Sequence, residues 1–177
     1  KRRRQGCSTG LPTKADHRNH VWTWDFVHDR TVRGGRLKML TMVDEHTRAC
    51  PLIHVARRIQ AKDVLDQLFR LIKQHGAPEY IRSDNGSEFI EKTLQQWLHH
   101  AGIQTLYIDP GSPWQNGYIE SFHSRLREEF LEREQFWTLS KARVLIEDWR
   151  NEYNHVRPHR SLKLETPKDF AAVTQGG

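Results

Sequence analysis

The chain has 177 residues, 36% hydrophobic and 28% charged, with six Trp and seven Phe, and that length fits one domain able to bury a substantial core. No run reaches the ~18 apolar residues of a bilayer span and no signal-peptide pattern opens the chain, so a cytoplasmic protein without a membrane partner is expected. Cys7 and Cys50 form no CxxC pair, which argues against a disulfide framework or a cysteine zinc site. His17/His20 and His99/His100 likewise lack a cysteine pair to complete a tetrahedral site. The net charge of +6 is unevenly placed: residues 1–20 carry six Lys/Arg against one acid, and residues 21–177 carry 22 against 21. Residues 1–20 therefore read as a basic, flexible arm able to lie along phosphates. Residues 21–170 read as one core with a C-terminal helical segment, and 171–177 as a tail.

Three strands are expected first. Residues 21–27, VWTWDFV, alternate so that Trp22, Trp24 and Phe26 share one face and Asp25 takes the other. A Gly34-Gly35 turn precedes a second strand over 36–43. A third covers 49–55, with Pro51 placing it at an edge. The period then becomes helical at Val64, Leu65, Leu68, Phe69, Leu71 and Ile72, and Gly76 with Pro78 stops it. A short strand, 80–83, ends at Asp84. Asn85-Gly86 is a strong hairpin signal, yet Phe89, Ile90, Leu94, Trp97, Leu98 and Ala101 fit a helix over 87–101 with Ser87 as N-cap. A fifth strand spans 103–108. A Pro/Gly loop, 110–117, leads to a third helix from 118 to 132, and a fourth presents Ala142, Leu145, Ile146, Trp149 and Tyr153 on one face.

The order β-β-β-α-β-α-β-α-α predicts an α/β, ribonuclease-H-like fold, a five-stranded mixed sheet flanked by helices. Three acids stand out in it. Asp25 lies mid-strand among aromatics, where an unpaired buried charge costs several kcal/mol. Asp84 sits at the carboxyl end of a strand, where ligand sites of open α/β sheets collect. Glu120 opens the third helix beside His123, Ser124 and Arg127, which follow it at helical spacing. Asp29, Asp44, Glu45 and Asp109 fall at turns and strand ends and read as structural, with Asp44 the substitute should Asp25 fail.

The intervals (58 residues between Asp25 and Asp84, 35 between Asp84 and Glu120) join four sequence blocks. These are WTWDFVHD, RSDNGSEF, PGSPWQNGYIESFHSRLREEF, and WRNEYNHVRPHRSL with ETPKDF. Together they resemble the DDE transposase/retroviral-integrase superfamily, in particular bacterial insertion-sequence transposases with an integrase-like catalytic core. The resemblance covers residues 20–170. His123-Ser124 departs from the Asn-Gly of many relatives.

The resemblance implies a metal-dependent polynucleotidyl transferase: DNA 3′-end cleavage at element ends, then strand transfer to target DNA. Asp25, Asp84 and Glu120 would be both catalytic residues and metal ligands. Two Mg²⁺ ions per site, about 3.5–4 Å apart, with Mn²⁺ as a substitute, suit an all-carboxylate donor set. Without cations, three converging carboxylates repel by roughly 4 kcal/mol per close pair, so raised carboxyl pKa values or a mobile Glu120 are expected. Arg127, Gln115, Asn116, His123, Ser124, Arg157, His159 and Arg160 are the candidate DNA contacts. The partners implied are DNA and further copies of the chain, a dimer or higher on DNA, in a bacterial, nucleoid-associated setting. No helix-turn-helix precedes residue 20, and a DNA-recognition module upstream of Lys1 is expected. The rival readings are a hydrolytic nuclease on the same fold and a non-catalytic DNA-binding or assembly module.

Overall fold

In the computed structural model, which describes residues 14–174, a five-stranded sheet carries helices on both faces. β1 (Val21–Arg30), β2 (Arg36–Asp44) and β3 (Leu52–Ala56) form an antiparallel meander. Helix α1 (Ala61–His75) leads to β4 (Tyr80–Ser83), and α2 (Lys92–His100) leads to β5 (Gln104–Tyr107). β4 pairs in parallel with both β1 and β5, giving the order β3-β2-β1-β4-β5. The mixed sheet and the edge position of β3, which starts just after Pro51, agree with the sequence reading. Helices α3 (Gly117–Leu126), α4 (Leu139–His155) and α5 (Pro167–Thr174) complete the chain. The β1–β2 turn passes through Gly34 at φ +83°, a left-handed conformation that glycine adopts at little cost.

Alternation along the strands divides the core. Trp22, Trp24, Leu40, Met42 and Ile81 pack against Val64, Leu68 and Leu71 of α1 and Leu94 and Leu98 of α2. On the opposite face Val27, Met39, Val43, Ile53 and Val55 pack against Ile119, Phe122 and Leu126 of α3 and Ala142, Ile146, Trp149 and Tyr153 of α4. Each such large side chain contributes about 1.5–3 kcal/mol by leaving water. Asp25 belongs to this second face, opposite the aromatics of its own strand.

Four features differ from expectation. Helix α2 starts at Lys92, not Ser87, because the Glu91 carboxylate caps it by accepting the Leu94 N–H at 3.1 Å. Residues 86–90 instead form a turn closed by the Phe89 and Ile90 N–H groups on the Gly86 carbonyl. Phe89 is buried against Trp24 and Phe26 with ring centroids 4.8 Å from each, and that anchoring keeps the turn out of the helix. The third helix continues past Leu126 as a π-helical turn, Arg127–Leu131, whose wider spacing buries both Phe130 and Leu131. Helix α5 runs past the assigned core boundary at 170 into residues 171–174 of the assigned tail; Thr166 caps it, its hydroxyl accepting the Asp169 N–H at 3.1 Å and donating to its carboxylate at 2.8 Å. Residues 15–20, assigned to the arm, are packed: Ala15 is buried with Val21 and Leu106, and the Asn19 N–H donates to Asp44. The rest of the arm and of the tail lies outside the described residues.

Candidate active site

Thr23 of β1 is level with Arg82 of β4 in the parallel pair. Two residues further along each chain segment come Asp25, within β1, and Asp84, immediately past the end of β4. Helix α3 packs across β1 and β2, and two hydrogen bonds clamp it on either side of Glu120. Before Glu120, the Thr23 hydroxyl donates to the Asn116 side-chain carbonyl at 3.2 Å. After it, His123 Nε2 meets the Thr41 hydroxyl at 2.7 Å, and that hydroxyl also contacts the Asp25 main-chain carbonyl at 2.9 Å. Thr41 lies directly opposite Asp25 in the β1–β2 register. Glu120, in the first turn of α3, is exposed.

The carboxylates of Asp84 and Glu120 lie near that of Asp25. Burial pushes the Asp25 carboxyl up to about 6; the Phe26 N–H opposes this, and the negative charges of Asp84 and Glu120 add to the rise. Asp25 Oδ1 accepts the Phe26 N–H at 2.7 Å and Asp84 Oδ1 accepts the Gly86 N–H at 2.8 Å. Among the described residues, the second oxygen of each and both Glu120 carboxylate oxygens have no hydrogen-bond donor. A Cβ at Gly86 would stand 2.9 Å from Asp84 Oδ1, so a side chain there would displace that carboxylate.

The candidate DNA contacts divide into two groups. Arg127, Ser124 and Arg160 are exposed. Half-buried Gln115 is tied to Asp109, accepting its N–H at 2.9 Å and donating to its carboxylate at 3.1 Å. Four others are engaged within the protein. Asn116 and His123 clamp α3 to the sheet. Burial and the Arg127 charge hold the His123 imidazole down at about 4, so it is neutral at pH 7. Arg157 pairs with Glu129. His159, only 2% exposed, packs edge-on against Tyr153 and lies 3.0 Å from Arg125 Nη1, docking the C-terminal segment. Thr23 and Thr41 escaped the sequence reading; their signal was their place in the alternation beside and opposite Asp25.

Asp44 is structural, as expected: its carboxylate accepts the N–H groups of Asn19, His46 and Thr47 at 2.8–3.0 Å. Among the described residues, the one cluster of His and acidic ligand-type atoms within 4.8 Å of one another is Asp16, His17 and His20. These atoms already bond one another, and His17 Nε2 also meets Glu79 at 2.7 Å. The Asp16 and Glu79 hydrogen bonds raise the His17 pKa. The cluster fastens residues 16–20 to the start of β4.

The fold and cleft define an α/β protein of ribonuclease-H-like architecture with an acidic site at the strand ends. An integrase core domain model matches residues 15–113, and a second model of the same description matches 101–167. The chain belongs to the integrase core domain family. It is 41% identical over 154 residues to the insertion element IS407 uncharacterized 31.7 kDa protein of Burkholderia multivorans, covering 87% of this chain and 56% of that one. It is 30% identical over 176 residues to the transposase for insertion sequence element IS904 of Lactococcus lactis, covering 94% and 69%. It spans about half the length of the IS407 protein and of the related IS476 protein of Xanthomonas euvesicatoria, 56% and 44%. The HTLV-2 integrase catalytic core domain, in complex with magnesium, superposes with a TM-score of 0.70 over 89% of this chain and 99% of that one, at 17% identity. That likeness speaks to fold alone. Among the described residues, no helix is long and apolar enough to cross a membrane.

Proposed function

We propose that the chain is the catalytic core of a DNA transposase that cuts element ends and joins the freed 3′-ends to target DNA, with Asp25, Asp84 and Glu120 as the reacting-centre residues. The observation that carries this reading is the approach of Asp84, just past β4, and Glu120, on α3, to Asp25 of β1, close enough to raise the Asp25 pKa.

The donor set fits divalent magnesium, with manganese as substitute and two ions per site. The available ligands are hard carboxylate oxygens, several without a protein donor, and the nearby imidazole, His123, is turned to Thr41. When bound, such ions would neutralise the cleft, activate the attacking hydroxyl and stabilise the leaving 3′-oxygen. The chain's own residues hold the geometry. The parallel β1–β4 pair, whose last registered partners are Thr23 and Arg82, supports the approach of Asp25 and Asp84 two residues further on. The Thr23–Asn116 and Thr41–His123 clamps hold the helix that carries Glu120, and Arg127, seven residues on, offers a cation to a phosphate. Ser124, Gln115 and Arg160 extend that polar surface. Two DNA ends and a target imply more than one copy of the chain on DNA.

The test supplies a duplex with a processed 3′-OH end, target plasmid and Mg²⁺. The wild-type chain is expected to form the joined product. Asp84→Asn and Glu120→Gln are expected to form none while retaining DNA affinity. Hydrolysis without joining would establish the nuclease instead, and joining by Glu120→Gln would overturn the assignment of that residue.

A further inference from the structure

Helix α3 has a second polar side that the reacting centre does not use. Glu120, Ser124 and Arg127 line one flank; Tyr118, Ser121 and Arg125 line the other. On that other flank the helix walls a cavity of about 1020 Å³, floored by the ends of β2, β4 and β5 and bounded by the segment that carries His159. A space of this size takes a nucleotide with room to spare.

Its lining has an unbalanced charge. Arg82 is neutralised by Glu45, with Nε 2.8 Å from Oε1, and the Asp109 carboxylate is engaged by the Gln115 amide. Arg48 and Arg125 have no carboxylate partner among the described residues. Arg125 instead points at His159 Nδ1. Arg48 Nη1 is buried and has no hydrogen-bond partner, an unfavourable state that an incoming acceptor would relieve. The backbone places that guanidinium deliberately. Arg48 sits at φ +62°, a strained conformation for a non-glycine residue. Its N–H donates to the Asp44 carbonyl and its own carbonyl accepts the Tyr153 hydroxyl. The side chain then lies flat over the Tyr118 ring, 3.9 Å from its centroid.

The mouth is aromatic. Trp114 is 73% exposed and Tyr107 42%, although exposed rings of this size are usually covered in a folded protein. Tyr107 ends β5 directly beside Ser83, the residue before Asp84. Trp114 precedes the Gln115-Asn116-Gly117 entry to α3, so the mouth and the carboxylate cleft share one loop. Guanidinium groups without a carboxylate partner inside, one with a buried unbonded Nη1, and exposed aromatic rings at the rim are what a single-stranded nucleic acid requires: cations for phosphate and rings for base stacking.

We propose that this cavity is a subsite for an unpaired nucleotide, its phosphate held by Arg48 and Arg125 and its base stacked on Trp114 and Tyr107. The subsite rests on the DNA reading above and deepens it, by giving the protein a means to seize a strand that has left the duplex next to the site of cutting.

The experiment measures fluorescence polarisation of labelled single-stranded oligo(dT), an abasic oligomer of equal length, and a blunt duplex. It uses the 177-residue chain without divalent metal, so no catalysis is involved. Trp114→Ala and Arg125→Gln are expected to weaken oligo(dT) binding about tenfold each, in line with ~1–3 kcal/mol per stacked base, and to change duplex binding less than twofold. Arg48→Lys, which keeps the charge and loses the fork, is expected to weaken it severalfold. Abasic oligomer bound as tightly as oligo(dT), equal losses on single strand and duplex, or oligo(dT) binding unchanged by the variants would each overturn the subsite. Competition by poly-glutamate as effective as by oligo(dT) would also overturn it, in favour of an acidic protein partner. Because the same variants are scored without metal, failure here leaves the strand-transfer test standing, and failure of strand transfer leaves this measurement interpretable.

Discussion

Asp44 and Asp25 lie on neighbouring strands of one sheet, and their surroundings separate a structural carboxylate from the one we propose as reactive. Asp44 is the more buried, at 4% exposed, yet three backbone N–H groups converge on its two oxygens. Those donors replace its water and close the turn between β2 and β3. Asp25 is less buried, receives one N–H from its own neighbour, and faces two further carboxylates. Burial is therefore a poor guide to reactivity. An unfilled lone pair within reach of like charges, on a frame that prevents escape, is the better one.

The two aspartates should fail in opposite ways. Asp25→Asn is expected to lower cleavage of an element-end duplex by about 10³-fold or more, equivalent to roughly 4 kcal/mol of lost transition-state stabilisation, while the chain stays folded. Asp44→Ala is expected to remove about 3 kcal/mol of stability in urea unfolding, since three backbone donors lose a charged acceptor. Its activity per folded molecule should persist. Normal activity in Asp25→Asn, or an inactive Asp44→Ala that is fully folded, would reverse the assignment.

The pH dependence of stability sharpens the contrast. The Asp25 pKa is about 6 in the folded protein, above its ordinary 3.8, so the folded state binds this proton more tightly than the unfolded one. The resulting stability is fully present below pH 4 and is lost as pH rises through 6. Asp25→Asn removes that loss: the variant should be more stable than wild type by on the order of 2 kcal/mol at pH 8 and equal to it at pH 3.5, read by urea titration at both pH values without divalent metal. With Mg²⁺ present, protonation competes with the cation, so the wild-type Mg²⁺ requirement should rise as pH falls below 6.

Much of this was legible in the sequence. The period-2 alternation in 21–27 placed Asp25 on the face away from the tryptophans, and the strand-to-helix change after 83 placed Asp84 at a strand end. What escaped depends on tertiary choices. Ser87 and Glu91 are both plausible caps, and the burial of Phe89 between Trp24 and Phe26 decides for the later one. The π-helical turn leaves no periodic trace, because one added residue in a helix resembles noise in the apolar pattern. Thr166-Pro167-Lys168-Asp169 spells a helix start within the expected C-terminal helical segment, and α5 carries it four residues past 170. The internal bonds of His123 and His159, to Thr41 and Arg125, left no trace in the sequence, because they join elements far apart in the chain.

The smallest predicted effect is the most discriminating. Gly34 and Gly86 both sit in turns at strand ends, for different reasons. Gly34 needs its left-handed φ but has open space where a Cβ would stand; at Gly86 the constraint is the Asp84 Oδ1 atom 2.9 Å from that position. Gly34→Ala should therefore cost about 1 kcal/mol of stability through backbone strain and leave cleavage per folded molecule unchanged. Gly86→Ala should cost little stability, because Asp84 can rotate away or the turn can give by a few tenths of an ångström, but that movement displaces a carboxylate of the cleft. Cleavage is expected to fall about tenfold, the equivalent of ~1.4 kcal/mol, with a higher Mg²⁺ requirement and partial recovery at high Mn²⁺. If Gly86→Ala instead loses stability and its activity only tracks the folded fraction, then Asp84 serves the turn, as Asp44 does, and the division between structural and reactive carboxylates moves by one residue.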